Sequence, residues 1–305
     1  MGLGPSIVYL DITFSNKLSL NKLVNTATSS HIHISSKSAW YKINLAELWR
    51  YRDLLKMLVK RDVVIVYKQT VLGPVWFVLQ PILTAVIFTF VFGNIANLDT
   101  DGLPKFAFYL SGLVIWNYFS DCFIKTSDTF FTNQNLFGKV YFPRLIVPIG
   151  IISSGLIKFL VQFILLVGVC FYHYFFTKLA APSIYVLLLP LLLIIMASLG
   201  MGLGLIFTSL TTKYRDLKFL LQFGVQLIMW LTSIAYPLSM VKGNYLILLK
   251  FNPLTHIIEA LKLGLLGEGY FNVFWLGYSI FFAFAVLILG IFVFNKTQKD
   301  FIDRI

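Results

Sequence analysis

Tyr67-Lys68-Gln69-Thr70-Val71-Leu72-Gly73-Pro74-Val75-Trp76, running on through Phe77 to Phe92, decides the fold class. A basic approach segment meets a Gly-Pro pair and turns into an unbroken apolar run. Gly-Pro interrupts an incoming helix, because proline lacks a backbone donor and clashes with the preceding turn. Trp76 follows at once, an amphipathic ring suited to headgroup level at the start of a span. The pattern is that of a chain arriving along a membrane surface and then entering the bilayer.

The remaining sequence agrees. Hydrophobic residues make up 58% of 305 positions and charged residues 12%, too little polar surface to cover a soluble protein of this size. A spanning helix needs about 20 mostly apolar residues. Runs at 75–96, 106–124, 147–176, 183–208, 219–236 and 273–294 predict six transmembrane helices in an all-α integral membrane protein. The third is long for one crossing, which predicts tilt or an end outside the hydrocarbon. A net charge of +12 does not point to nucleic acid, since the basic residues form no single solvated face. With the N-terminus cytoplasmic, that side holds Lys42, Arg50, Arg52, Lys56, Lys60, Arg61 and Lys68, then Lys125, Lys139, Arg144, Lys213, Arg215, Lys218, Lys296, Lys299 and Arg304. The other side keeps Lys105, Lys178, Lys242, Lys250 and Lys262, so both termini are expected inside.

Residues 1–44 read as a polar, weakly ordered N-terminal extension, rich in Ser, Thr and Asn and without the apolar core of a signal peptide. Met1-Gly2-Leu3-Gly4-Pro5-Ser6 fits the bare myristoylation pattern, too short a match to carry weight. From Leu45 to Val66 a helical reading puts Leu45, Leu48, Leu55, Val59 and Val66 on one face and Arg50, Asp53, Lys60 and Arg61 on the other. Arg52 and Asp62 interrupt the stripe. This amphipathic interfacial helix either only fixes topology or also serves in docking or gating.

The connection Thr126 to Arg144 carries Asp128, Asn133, Gln134, Asn135, Lys139 and Arg144. It is too polar for lipid and too long for a tight turn. A short helix across the cytoplasmic mouth fits it, and so does a plain helix connector. Pro237 to Tyr270 is too short for two crossings and too apolar for a free loop. Leu254, Ile257, Ile258, Leu261 and Leu265 make a helical stripe, and Asn252-Pro253 marks a helix start. A re-entrant helical hairpin before the last span is expected, with its backbone ends facing protein or water.

No GxxxxGK[ST] phosphate loop occurs: Gly138-Lys139 lacks the upstream glycine and the following Ser or Thr, so ATP binding by that device is excluded. Asp99-Thr100-Asp101 has the look of a glycosyltransferase metal pair, but topology places it outside, and Gly102 and Pro104 make it a solvated turn. His173 has no acidic or Cys partner at ligand spacing. Cys122 and Cys170 sit in or beside spans as packing residues, with no disulfide or metal framework. Lys158, Asp121 and Glu259 stand out, because an ionisable group at the centre of a spanning helix costs about 2.5–3.5 kcal/mol and tends to face a cavity or partner. Asp121 and Lys125 are spaced to pair. Lys158 has no such neighbour and is expected to snorkel inward or face a polar interior. Among the aromatics, 17% of the chain, Trp76, Trp116, Tyr118, Trp230 and Tyr236 lie near span ends. They serve either as an interface belt or as a conduit lining on which sugar rings stack.

Four stretches carry a family resemblance: Tyr67 to Pro81 (YKQTVLGPVWFVLQP), Lys139 to Pro148 (KVYFPRLIVP), Tyr214 to Met240 (YRDLKFLLQFGVQLIMWLTSIAYPLSM) and Asn252 to Gly267 (NPLTHIIEALKLGLLG). With the six-span layout, the chain from about Leu45 to its end resembles the permease subunit of type-2 ABC exporters for O-antigen, capsular polysaccharide and teichoic acid. That resemblance implies a homodimer in the cytoplasmic (inner) membrane, each copy docked on a separate ATPase chain. The ATPase dimer would bind ATP and magnesium; this chain would hold no cofactor and catalyse no reaction. By position, Gln134 to Arg144 would form the coupling helix, with Gln134, Asn135, Lys139, Tyr141 and Arg144 as its contact residues. Leu45 to Tyr67 would be the interfacial helix, with Arg50, Arg52, Lys60 and Arg61, and Leu238 to Leu266 the re-entrant pair. Trp76, Trp116, Trp230 and Tyr236 become candidates for the glycan path between the two permeases. The expected cargo is an undecaprenyl-linked polysaccharide, with membrane lipids as the other contacts and no nucleic acid. Two rivals stand beside it: a related permease for a small drug-like or lipid substrate, and a membrane-embedded glycosyltransferase or polymerase. The last needs a cytoplasmic or membrane-embedded carboxylate cluster, and the close aspartate pair here lies on the wrong side.

Overall fold

The computed structural model describes residues 45–68, 73–137, 142–176, 182–214 and 216–302; the polar extension at 1–44 lies outside them. Every regular element among the described residues is helical. Helices satisfy their own backbone groups, which apolar runs in lipid require. α1 (Leu45–Arg50) and α2 (Arg52–Lys68) form an approach helix stepped at Tyr51. Gly73, at a positive φ of 50°, and Pro74 turn the chain into α3 (Val75–Phe88), which runs on as a π-helical stretch, Thr89–Ile95. Then come α4 (Lys105–Ser127), the one-turn helices α5 (Thr129–Thr132) and α6 (Gln134–Phe137), and α7 (Ile146–Phe176). A 3-10 turn, Ile184–Leu188, leads into α8 (Leu189–Lys213), followed by α9 (Leu217–Trp230). α10 (Asn244–Phe251), α11 (Pro253–Leu266) and α12 (Val273–Ile302) complete the order.

Four segments are long and apolar enough to cross a bilayer: Val75–Ile95, Ile146–Phe176, Ile184–Lys213 and Val273–Gln298. The other two expected spans differ for physical reasons. α4, at 23 residues, has the length, but it is the central helix, buried without a break from Ala107 to Trp116. Its surroundings are protein, so it carries Ser111, Tyr109 and Tyr118 where a lipid-facing helix would not. α9 has only 14 residues, about 21 Å, and stops at Trp230, short of the expected end at 236.

Residues 231–236 continue unwound, with Thr232, Ser233, Ile234 and Ala235 buried. Side chains take their freed carbonyls. Tyr236 Oη donates to Trp230 O at 2.8 Å, Asn252 Nδ2 to Leu231 O at 2.7 Å, and Lys262 Nζ to Ser233 O. Irregular backbone inside an apolar body persists only with such partners.

α7 has 31 residues, about 46 Å, against a hydrocarbon core of about 30 Å. Its early turns pack beside α2: a Cβ placed on Gly150 would stand 3.5 Å from Leu58 Cβ. The excess length therefore runs along the approach helix. The packed line of that helix is Leu48, Tyr51, Leu54, Leu55 and Leu58, which shares Leu48 and Leu55 with the stripe read in the sequence.

α8 is clamped between α4 and α12 by glycines. A Cβ on Gly204 would come within 2.5 Å of Thr126 Cβ, and one on Gly202 within 2.7 Å of Leu287 Cα. Small residues permit this closeness of backbones. α11 begins as expected at Asn252, whose side chain accepts from Leu254 N at 3.0 Å, and ends at Gly267 with φ 83°. Its apolar stripe is buried, but so are Thr255, His256, Glu259 and Lys262. The helix is enclosed on all sides rather than amphipathic.

Candidate functional site

The connection after α4 is bound into the body. Phe130 stacks on Phe294 of α12, with centroids 4.8 Å apart at 8°, and Phe137 stacks on Phe142 at 5.6 Å and 24°. The Arg144 guanidinium lies over Phe130 and Phe137, 5.9 and 5.3 Å from their centroids, and donates to Gln298 O of α12 at 3.2 Å. Burial lowers its pKa from the ordinary guanidinium value, yet a guanidinium stays charged at physiological pH. Arg61 of α2 reaches the same connection, donating to Asn133 Oδ1 at 3.2 Å. Together with Leu58, Ile146, Val147, Ile151, Met201 and Leu205 these aromatics form one hydrophobic cluster. A dense junction of this kind passes displacement to its neighbours rather than absorbing it.

Of the expected coupling residues, Gln134 is exposed and Arg144 sits inside the junction, where it tethers the connection to α12. The side chain of Asn135, and Lys139 and Tyr141 as a whole, lie outside the described residues. Arg50, Arg52, Lys60 and Arg61 are all exposed along α1 and α2, with Arg52 over the Trp49 ring at 5.8 Å.

Next to the junction, α2, α4, α7 and α9 enclose a cavity of about 430 Å³, with Phe77 at the start of α3 in its wall. Two of its lysines pair across elements, and Arg61 pairs with its neighbour on α2. Lys158 Nζ meets Asp121 Oδ2 at 2.9 Å, Lys218 meets Asp128 at 2.6 Å, and Arg61 meets Asp62 at 2.9 Å. Asp121 therefore pairs first with Lys158 of α7, and the expected Lys125 partner stands further off at 3.9 Å. Four cations, Arg61, Lys125, Lys158 and Lys218, face three carboxylates, leaving Lys125 the least engaged.

At the other end of the body, Trp230 is 41% exposed and stacks on Phe88 at 5.8 Å and 18°, with Phe92 edge-on at 5.7 Å. Tyr236 joins it through the carbonyl bond described above. Trp76, 47% exposed, lies at the opposite end of α3 from Phe88, and Trp116, 4% exposed, is sealed in the core against Phe119. The structure thus unites two of the four path candidates.

Glu259 and Lys262 form a pair that sequence reading half missed. Glu259 stood out, but Lys262 was counted among loop charges; it is 1% exposed. Its ammonium lies 3.3 Å from Glu259 Oε1 and 3.6 Å from the Phe108 ring centre, while Glu259 Oε2 accepts from Tyr270 N at 3.1 Å. The signal available was the three-residue spacing of opposite charges on one helix. The Asp99–Asp101 segment is the turn expected, with both carboxylates exposed and Asp101 accepting from Ser239 at 2.6 Å.

Several bilayer-length apolar helices around charges paired in the interior define a multi-pass membrane protein. The chain belongs to the ABC-2 type transporter family, whose model matches residues 53–266. It is thus of the family of transporter membrane subunits. It is similar to an O-antigen export system permease protein, RfbA, of Klebsiella pneumoniae, 26% identical over 264 residues, covering 86% of this chain and 97% of that protein. The RfbA permease of Myxococcus xanthus is 25% identical over 218 residues, 70% of this chain and 80% of the relative. The polysialic acid transport protein KpsM of Escherichia coli is 25% identical over 236 residues, 75% and 87% of the two chains.

Proposed function

We propose that this chain is the permease subunit of an ABC exporter that carries a lipid-linked polysaccharide across the cytoplasmic membrane. The observation that carries the reading is the match, over 86% of this chain and 97% of the relative, to a permease named for O-antigen export. In this reading six segments cross the bilayer, α10 and α11 dip in from the outer side, and both termini are cytoplasmic. A second copy faces α9, where Gln222 and Gln226 are exposed and an amide facing bare hydrocarbon would be costly. A separate ATPase dimer, holding ATP and magnesium, docks at 134–144. The aromatic junction passes its closure to α2, α7 and α12. Nucleotide contributes only by favouring one arrangement of that junction over another. The charged cavity receives the phosphate of the cargo lipid, and Trp230 with Tyr236 borders the sugar path.

The test is deletion of the gene in its own cell, followed by extraction of lipid-linked glycans. Accumulation of a complete glycan on its lipid carrier supports polysaccharide export; normal surface glycan with no accumulation refutes it. Lys139→Glu in the complex is expected to abolish export while the ATPase remains assembled and folded. Unchanged export, or labelling of residues 134–144 from the outer side, removes the coupling assignment.

A further inference from the structure

We propose that the groove between α2 and α7 is a binding site for one anionic glycerophospholipid of the bilayer. The groove has a volume of about 480 Å³, within the range of small-molecule sites. Leu55, Val59 and Val63 of α2 and Ile157 of α7 make its floor, and Lys56 and Lys60 line it on the α2 side. The two lysines are exposed and one helical turn apart, hence on the same side of α2, and lysine stems can lie along apolar surface with the ammonium in water. Lys56 is held only by Asp53 at 3.1 Å, with both side chains about three-quarters exposed, at 74% and 76%. An exposed pair of that kind is readily exchanged for a phosphate.

The chemistry favours a phospholipid over the cargo. Apart from its two lysines the groove is lined by Leu55, Val59, Val63, Val64, Ile157 and one hydroxyl, Ser153, which already donates to Ile149 O at 2.9 Å, so it lacks the mixed donors and acceptors that sugar hydroxyls need. It adjoins the charged cavity across Val63 and Ile157, which line both, and its charged residues are different: the cavity takes Arg61 and Asp62 from α2, whereas the groove takes Lys56 and Lys60. Acyl chain on the floor and phosphate on the lysines matches an anionic phospholipid of a cytoplasmic leaflet. Bound there, it braces α2 against α7 at the point where Leu58 enters the aromatic junction. The inference rests on membrane embedding and does not depend on what is exported.

Purified full-length chain in detergent is titrated with phosphatidylglycerol or phosphatidylcholine. Retained lipid is counted by native mass spectrometry, and melting is followed without added lipid. Wild type is expected to keep one phosphatidylglycerol with a preference of roughly 30-fold over phosphatidylcholine, from two lysines near the surface. Lys56→Gln/Lys60→Gln should lose that preference with unchanged lipid-free melting, and Ser153→Leu should fill the groove and lose retention with its lysines intact. Equal retention of phosphatidylcholine, an undiminished preference in the double variant, or a lipid-linked glycan as the retained species overturns the proposal. If Ser153→Leu fails to fold, the double variant alone decides.

Discussion

The enclosed Glu259–Lys262 pair gives the sharpest energetic test. Lys262 is 1% exposed and bridges the carboxylate of its own helix, the unwound carbonyl of Ser233 and the face of Phe108. Removing one partner of a buried pair costs about 3–5 kcal/mol, because the other charge stays buried without compensation. Glu259→Gln leaves the ammonium its carbonyl and ring, which places the cost near the lower end, about 3 kcal/mol. Lys262→Met orphans Ser233 O as well and leaves Glu259 with the Tyr270 N–H, which places it near the upper end, about 5 kcal/mol. At about 2–4 °C per kcal/mol the melting temperature should fall by roughly 6–12 °C and 10–20 °C respectively. Glu259→Gln/Lys262→Met carries no unpaired charge, so it should melt above Lys262→Met, with a coupling of at least about 2 kcal/mol. The assay is thermal unfolding of the purified full-length protein, with limited proteolysis between Trp230 and Asn252 as a local readout. Single variants within about 1 kcal/mol of wild type, or strict additivity in the double variant, would refute the staple.

What the sequence disclosed was whatever depends on neighbours along the chain. Gly73-Pro74-Trp76 located the entry into α3, Asn252-Pro253 located the start of α11, and apolar runs located the long helices. What it hid depends on neighbours across the fold. Hydropathy carried the fifth span to 236 because residues 231–236 are mostly apolar, whereas the unwinding there is fixed by Asn252 and Lys262 further along the chain. Charge counting assigned Lys262 to a loop because the counting knows sidedness and not enclosure. Lys158 lacked a partner within its own helix; its partner, Asp121, is on α4. The sequence offers Arg144 as a coupling-helix contact, and its tether to α12 requires Gln298 at the far end of the chain to be brought alongside. The legible part is therefore the set of helices and the family motifs, and the hidden part is the paired charges that decide which faces are inside.

The glycine clamp and the path aromatics supply two further tests. Gly290→Ala, where a Cβ meets the Gly202 backbone, should destabilise by about 1–3 kcal/mol or prevent folding. Gly168→Ala, with nothing within 4 Å, should be neutral or stabilise by up to about 1 kcal/mol in the same melting assay. The aromatics separate by burial, and this separates a structural ring from a transport ring. Trp116→Ala opens a cavity around a side chain 4% exposed and should cost about 3–5 kcal/mol, lowering the amount of folded protein. Trp230→Ala loses a stack on Phe88 at a surface already 41% exposed and should cost about 1 kcal/mol. If Trp230 meets the cargo, export per folded molecule falls in Trp230→Ala, while in Trp116→Ala it falls only in proportion to the folded protein. Wild-type export per molecule in Trp230→Ala would take that residue off the path, and wild-type melting of Trp116→Ala would show that its ring is not part of the packed centre around which the other helices assemble.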